Sequence, residues 1–271
     1  MVRIEEKIPQ VVAAIAARTS PLVERLSDLD DDGLLSASEL SGWTRLTIAC
    51  HLRYGAQALR TMTEAAMVGQ PAAYYPEGRA AQRLGTLTPL PEESPQDVIA
   101  SLARSGESLH RLWSSLDPSE WSIEITEPSG NVDLGTVPLV RLALLRLTEV
   151  EVHGTDLGLG LDDWGETFVL LALPLRLDWL NTRRTNHRDF DRSLNGSWLL
   201  VATDGPTYSV SVDGSSVASQ PAGPGTAARS SITATSRDLL ALLLGRPFQT
   251  PPVISGDVEF GQSFSAAFPG P

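Results

Sequence analysis

The 271-residue chain has one cysteine, Cys50, so no disulfide can form within it, and such usage suits a reducing compartment. Lysine is equally scarce. Only Lys7 is present and every other basic residue is arginine, a bias of GC-rich bacterial coding. Basic side chains are the minority, 21 against 33 acidic for a net charge of −12. No basic face is visible, so a nucleic-acid partner is not expected. Long hydrophobic runs are missing as well. A stretch such as Phe168–Leu175 is far too short to span a bilayer. The opening MVRIEEKIPQ is charged and lacks a signal-peptide core, so a cytoplasmic location without a membrane partner is expected. Hydrophobic residues are nonetheless 42% of the chain, enough for a substantial core and against wholesale disorder. The length allows one large domain or two modest ones.

Apolar residues at Ile4, Ile8, Val11, Val12, Ile15, Leu22 and Leu26 predict a first helix over 3–26, with Pro9 near its start and a bend at Pro21. Residues 27–42 read as a loop ending at Gly42-Trp43. Thr44 is a fair N-cap for a second helix running to about Val68. Residues 69–93, with several prolines and paired tyrosines, read as a long irregular excursion able to cover a pocket. Ser94 begins a third helix with proline in its first turn, and within it His110 reads as exposed or half-buried. A small hairpin is expected from 121–125 and 132–134. A fourth helix follows from Pro138 and a fifth over 166–181, bent at Pro174. Composition changes after Arg192. Alternating segments in 196–219 with Asp204-Gly205 and Asp213-Gly214 turns, a strand at ITATS, a helix capped by Ser236 and stopped by Gly245, and a last strand from Val253 predict a small α+β domain. The expected division is a helical domain at 1–192 and an α+β domain at 193–271.

The fourth helix carries the densest chemistry. Glu149 and His153 are four apart and share one face, where a carboxylate and an imidazole can hold one divalent metal ion. Asp156, three further on, is placed to orient the His153 ring. Glu151 points away and reads as a solvent residue. The competing reading is an amphipathic helix with a surface glutamate and a satisfied histidine. His51 on the second helix supplies another imidazole. Two imidazoles and one carboxylate on facing helices, with an open position, form the ligand set of a catalytic zinc site. Cys50 lies about 100° around the helix from His51 and reads as a small buried hydrophobe rather than a nucleophile. His187, in a charged connector, reads as interdomain or exposed.

These residues carry a family resemblance. Gly42-Trp43-Thr44 followed by His51-Leu52, then Arg146-Leu-Thr-Glu149-Val-Glu-Val-His153-Gly-Thr-Asp156-Leu157-Gly158, and finally Asp238-Leu-Leu-Ala-Leu-Leu-Leu-Gly245-Arg246-Pro247, resemble the mycothiol-dependent maleylpyruvate isomerase-like proteins of the DinB-like superfamily. The resemblance spans roughly the whole chain. It implies a DinB-like four-helix bundle followed by a small α+β domain, with His51, Glu149 and His153 as the metal ligands. It also implies a fourth position taken by water and then by the thiol of mycothiol, the small thiol of actinobacteria. An arginine of the C-terminal domain is implied opposite the metal to hold a substrate carboxylate, Arg246 being the first candidate and Arg237 the second. The competing reading of either is a surface arginine at a helix end.

The function expected is therefore a divalent-metal enzyme, with zinc the first choice, that activates mycothiol for attack on a small electrophile. Either cis–trans isomerisation or S-transfer would follow from that attack. The metal is expected to face the C-terminal domain. Two alternatives stand beside it: a non-enzymatic sensor or binding module on the same bundle, and a metal hydrolase using bound water as nucleophile.

Overall fold

Proline and short polar side chains set where the helices begin. The computed structural model describes residues 4–128, 134–186, 195–214 and 216–270. His187 and the expected boundary at 192 lie outside these residues. Pro9 sits in the first turn of α1 (Ile8–Ser27), where its missing N–H has no intrahelical partner to lose, and the helix runs on through Pro21. The expected 27–42 loop contains one short helix, α2 (Asp31–Leu35), because the Asp30 carboxylate accepts the Gly33 N–H and caps it. The Thr44 hydroxyl accepts the Thr47 N–H and starts α3 (Arg45–Met67). The 69–93 excursion is more ordered than its composition implies. It holds α4 (Arg79–Gln82) and a 3-10 turn at Leu84–Leu87, buries Tyr74 and Tyr75, and is tied to α3 by a 2.6 Å Arg53–Glu93 ion pair.

A reciprocal capping box between Ser94 and Asp97 opens α5 (Pro95–Ser114). The hairpin forms from β1 (Glu124–Thr126) and β2 (Thr136–Pro138), paired antiparallel. Its second strand lies beyond the expected 132–134, of which residues 132 and 133 fall outside the described residues. Next come α6 (Leu139–Asp156) and α7 (Glu166–Asn186), the latter containing Pro174.

The chain divides into two compact units, Met1–Phe168 and Val169–Pro271. The division falls at the start of α7, upstream of the change in composition. In the first unit α1 packs on α5 and α6, and α3 packs on the same two helices. Leu22, Leu26, Ile48, Leu52, Leu102 and Val150 share one core cluster with Cys50. α6 is buried on nearly every side, its polar residues Arg146, Glu149, Glu151 and Asp156 included.

The second unit carries a five-stranded sheet. Its strands are β3 (Gly196–Ala202), β4 (Thr207–Asp213), β5 (Ser216–Pro221), β6 (Ser230–Ala234) and β7 (Val253–Gly256), in the order β5-β4-β3-β6-β7. Among the described residues only the β3–β6 pairing is parallel. Between β6 and β7 lies α8 (Ser236–Leu244), and α9 (Val258–Gln262) and α10 (Phe264–Ala267) close the chain. Thr235, not Ser236, caps α8, because its hydroxyl reaches the Asp238 N–H, while Ser236 instead binds Asp204 of the β3–β4 turn. Gly245 ends α8 in the left-handed conformation, φ 63°, as its position after the last apolar residue predicts. Trp198 stacks on Phe260 with centroids 4.2 Å apart and donates its indole N–H to the Phe260 carbonyl. Among the described residues no helix is long and apolar enough to cross a membrane.

Candidate functional site

α3 and α6 lie side by side and run in opposite directions, so that His51 faces His153 and, one turn along, Gly55 faces Glu149. The two imidazole rings meet edge to face with centroids 5.0 Å apart. Trp43, just before the α3 cap, stacks on His153 at 6.0 Å and presents an edge arrangement to His51 at 5.6 Å. Its backbone is held by Ser38, whose N–H and hydroxyl both donate to the Trp43 carbonyl. The Thr44 cap thus starts α3 directly after the tryptophan that packs on the two histidines.

His153 Nδ1 lies 2.9 Å from the Asp156 carboxylate. A carboxylate accepts, so Nδ1 carries the proton of this bond and Nε2 is the nitrogen left to face a ligand. His51 Nδ1 is buried and has no hydrogen-bond partner among the described residues. Burial, then His153 and the nearby Arg83, Arg146 and Arg79, holds the His51 pKa well below its ordinary value, so this imidazole is neutral and able to donate electrons to a ligand.

Glu149 is engaged elsewhere. Tyr74 donates to Oε1 at 2.8 Å and Arg146 Nη1 to Oε2 at 3.3 Å, while the same Nη1 reaches the Leu52 carbonyl at 2.8 Å. Burial first, and Glu149 second, pushes the Tyr74 phenol well up and keeps it a donor. Residue 55 must be glycine for this arrangement, since a Cβ there would lie 2.6 Å from Glu149 Oε2 and 2.9 Å from the Tyr74 hydroxyl. The structure therefore brings His51 and His153 together and leaves Glu149 bound to Tyr74 and Arg146. Among the described residues no three His, Cys, Asp or Glu side chains converge closely enough to hold a metal ion. In chemical kind, two imidazole nitrogens and a carboxylate on adjoining helices fit a divalent ion. The unpartnered His51 nitrogen and the Asp156–His153 bond both suit that use.

Other expectations fare differently. Glu151 is not a solvent residue. It is 3% exposed and ion-paired to Arg18 of α1 at 3.2 Å, and it accepts the Gly165 N–H. The reason is that α6 has no solvent face at that position. Arg18 also donates to the carbonyls of Asp163, Glu151 and Leu161. Cys50 is fully buried, and burial pushes its thiol up to about 11, which suits a packed hydrophobe rather than a nucleophile. His110 is half-buried.

In the second unit Arg237 binds Asp238 at 3.0 Å and the Pro247 carbonyl at 2.8 Å. Burial works against the Asp238 charge, but the N–H groups of Gln249 and Thr250 with Arg237 and Thr235 hold its pKa down, so Arg237 belongs to a clamp on the loop after α8. Arg246 donates from Nη1 to the Leu244 carbonyl. Sequence reasoning missed Tyr74 and Arg146 as partners of Glu149. The paired tyrosines of the excursion were visible, but nothing local says which carboxylate one of them meets.

The family model described as the mycothiol maleylpyruvate isomerase N-terminal domain matches residues 13–158, which include His51, Glu149 and His153 and exclude Arg237 and Arg246. The chain is similar in fold to a crystal structure of the mycothiol-dependent maleylpyruvate isomerase, with a TM-score of 0.68 and 21% identity over 94% of this chain and 96% of that one. A structure of a histidine-to-alanine mutant of such an isomerase matches with the same TM-score and coverage at 20% identity. No curated protein matches the sequence.

Proposed function

Because the chain belongs to the mycothiol maleylpyruvate isomerase N-terminal domain family, we propose that it is a mycothiol-dependent enzyme of the maleylpyruvate isomerase type. Its substrate would be a small cis-unsaturated carbonyl compound bearing a carboxylate. The packing of α1, α3, α5 and α6 is read as the DinB-like four-helix bundle of that family. The observation that carries the reading is the His51–His153 pair under Trp43, with Asp156 behind one ring and an unpartnered nitrogen on the other.

His51, His153 and Glu149 are the residues assigned to a divalent ion, zinc by donor type. Such an ion, when bound, lowers the pKa of a thiol and so supplies a nucleophile at neutral pH. The protein's own residues do the rest. Asp156 fixes the His153 tautomer, burial keeps His51 unprotonated, and Tyr74 and Arg146 hold the Glu149 carboxylate. Trp43 limits water at the two rings. By the family resemblance, Arg246 and, as second candidate, Arg237 are the residues we assign to the substrate carboxylate, each offering a two-pronged guanidinium.

The chemistry balances without a further reagent. The thiolate sulfur bonds to one alkene carbon and the π electrons move onto the conjugated carbonyl as an enolate. The former double bond rotates, the enolate electrons re-form it, and the C–S bond breaks to return the thiolate. Proton NMR of substrate geometry, run alongside a titration of free mycothiol, tests this. Cis-to-trans conversion with constant mycothiol is expected. Loss of mycothiol in step with substrate would make the protein an S-transferase, and no mycothiol-dependent change in either would make it a binding module.

A further inference from the structure

Arg146 is 1% exposed, yet only its Nη1 is engaged. Nε and Nη2 have no hydrogen-bond partner among the described residues. Buried donors are almost always satisfied, and a guanidinium with two adjacent N–H groups idle is a site wanting an acceptor. Arg146 lines a cavity of about 320 Å³ between α1 and α5. Its walls are mainly apolar, with Val12, Ile15, Val23, Leu109 and Trp113 beside Thr19 and Ser20, and the small residues Ala16 and Ala103 leave space between the two helices. His110 also lines it, and its buried Nδ1 likewise has no partner among the described residues. None of His51, Glu149 and His153 lines this cavity.

The geometry points to a second ligand site here, for a small carboxylic acid with an apolar body of about the size of benzoate. The volume falls within the range of roughly 300–1,000 Å³ that holds small ligands. The Nε and Nη2 hydrogens form a planar fork that matches the two oxygens of a carboxylate. A phosphate would bring a second charge that one guanidinium, already shared with Glu149, does not offset, and the apolar walls would stay unfilled. The other charges nearby are Glu149, which shares Arg146 from outside the cavity, and Glu107, which lines it, is exposed and lies 4.0 Å from Arg111. The ligand therefore gains from the fork and the walls together, not from net charge. Because one guanidinium serves both groups, occupancy of the cavity is coupled to Glu149. The site itself stands whether or not the His51–His153 pair works as proposed above.

The test is a titration of the full chain with sodium benzoate, benzyl alcohol and inorganic phosphate, read by calorimetry and by the indole N–H resonance of Trp113. Benzoate should bind saturably and shift that resonance. Benzyl alcohol should bind about tenfold more weakly or less, and phosphate should not bind. Ala16→Phe and Ala103→Phe, which fill the cavity from opposite helices, should each abolish the Trp113 shift with the circular dichroism spectrum retained. Absence of saturable benzoate binding overturns the proposal. So does equal binding of benzyl alcohol, which would make this an apolar void, or of phosphate, which would make it a general anion site. Benzoate binding that survives either filling variant places the ligand elsewhere and also overturns it.

Discussion

His51 and His153 meet with ring planes 88° apart although they are 102 positions apart in sequence, and Trp43 contacts both rings. One nitrogen is pre-set by Asp156 and the other is buried with no partner among the described residues, which is what the proposed metal role of the pair requires. His51→Ala and His153→Ala are each expected to take zinc content, measured by mass spectrometry of the metal, from stoichiometric to background. The helical circular dichroism should remain. Both variants retaining full zinc would remove these residues from the metal assignment.

Tyr74 gives Glu149 its shortest hydrogen bond. Tyr74→Phe keeps the ring packing and leaves a buried carboxylate oxygen without that donor. Urea unfolding of the metal-free protein should show a loss of about 1–3 kcal/mol. Gly55→Ala pushes a methyl group into the same carboxylate and should cost about 1–3 kcal/mol by overpacking. Neither variant losing stability would mean that Glu149 is not held as described.

Arg18 and Glu151 are a buried ion pair between α1 and α6, and burial raises the glutamate pKa and lowers that of the arginine. Arg18→Met leaves a buried carboxylate unpaired and should destabilise by about 3–5 kcal/mol, whereas Arg18→Met with Glu151→Leu should recover most of that loss. The comparison is a thermal or urea denaturation of both variants. A double variant no better than the single would show that the carbonyl contacts of Arg18, not the charge pair, carry the effect.

Cys50 gives a pH dependence of known sign. Its folded-state pKa, pushed up to about 11 by burial, lies above the ordinary value of 9.0, so the folded protein holds the proton more tightly than the unfolded chain does. Its contribution to stability is complete below pH 9 and is lost as pH rises through 11, by up to about 2–3 kcal/mol. Cys50→Ala should flatten the fall in stability between pH 9 and 11. An unchanged slope would contradict the burial of this thiol.

The local signals of the sequence were legible because they are local. The Thr44 cap, the Ser94–Asp97 box, Gly245 and the paired turns of the sheet act within four residues, and the structure has each of them, with the α8 cap displaced by one residue to Thr235. Glu151 was misread because helical periodicity shows which residues share a face but not whether a neighbouring helix covers the opposite face. Tyr74 and Arg146 were missed for a related reason. Their partner is 75 residues away in one case and, in the other, lies on the same helix at a spacing that a surface ion pair would also show. The order of the 69–93 excursion escaped for the same reason, since it comes from Arg53 and Tyr54 of α3.

The central claim is that this site turns a thiol into a thiolate. Calorimetric titration of mycothiol into zinc-loaded protein at pH 7, repeated in buffers of different ionisation enthalpy, measures the protons released on binding. The account predicts close to one proton released per mycothiol bound, and no release with the His51→Ala variant. Mycothiol binding without proton release, or release that is unchanged in that variant, would contradict it.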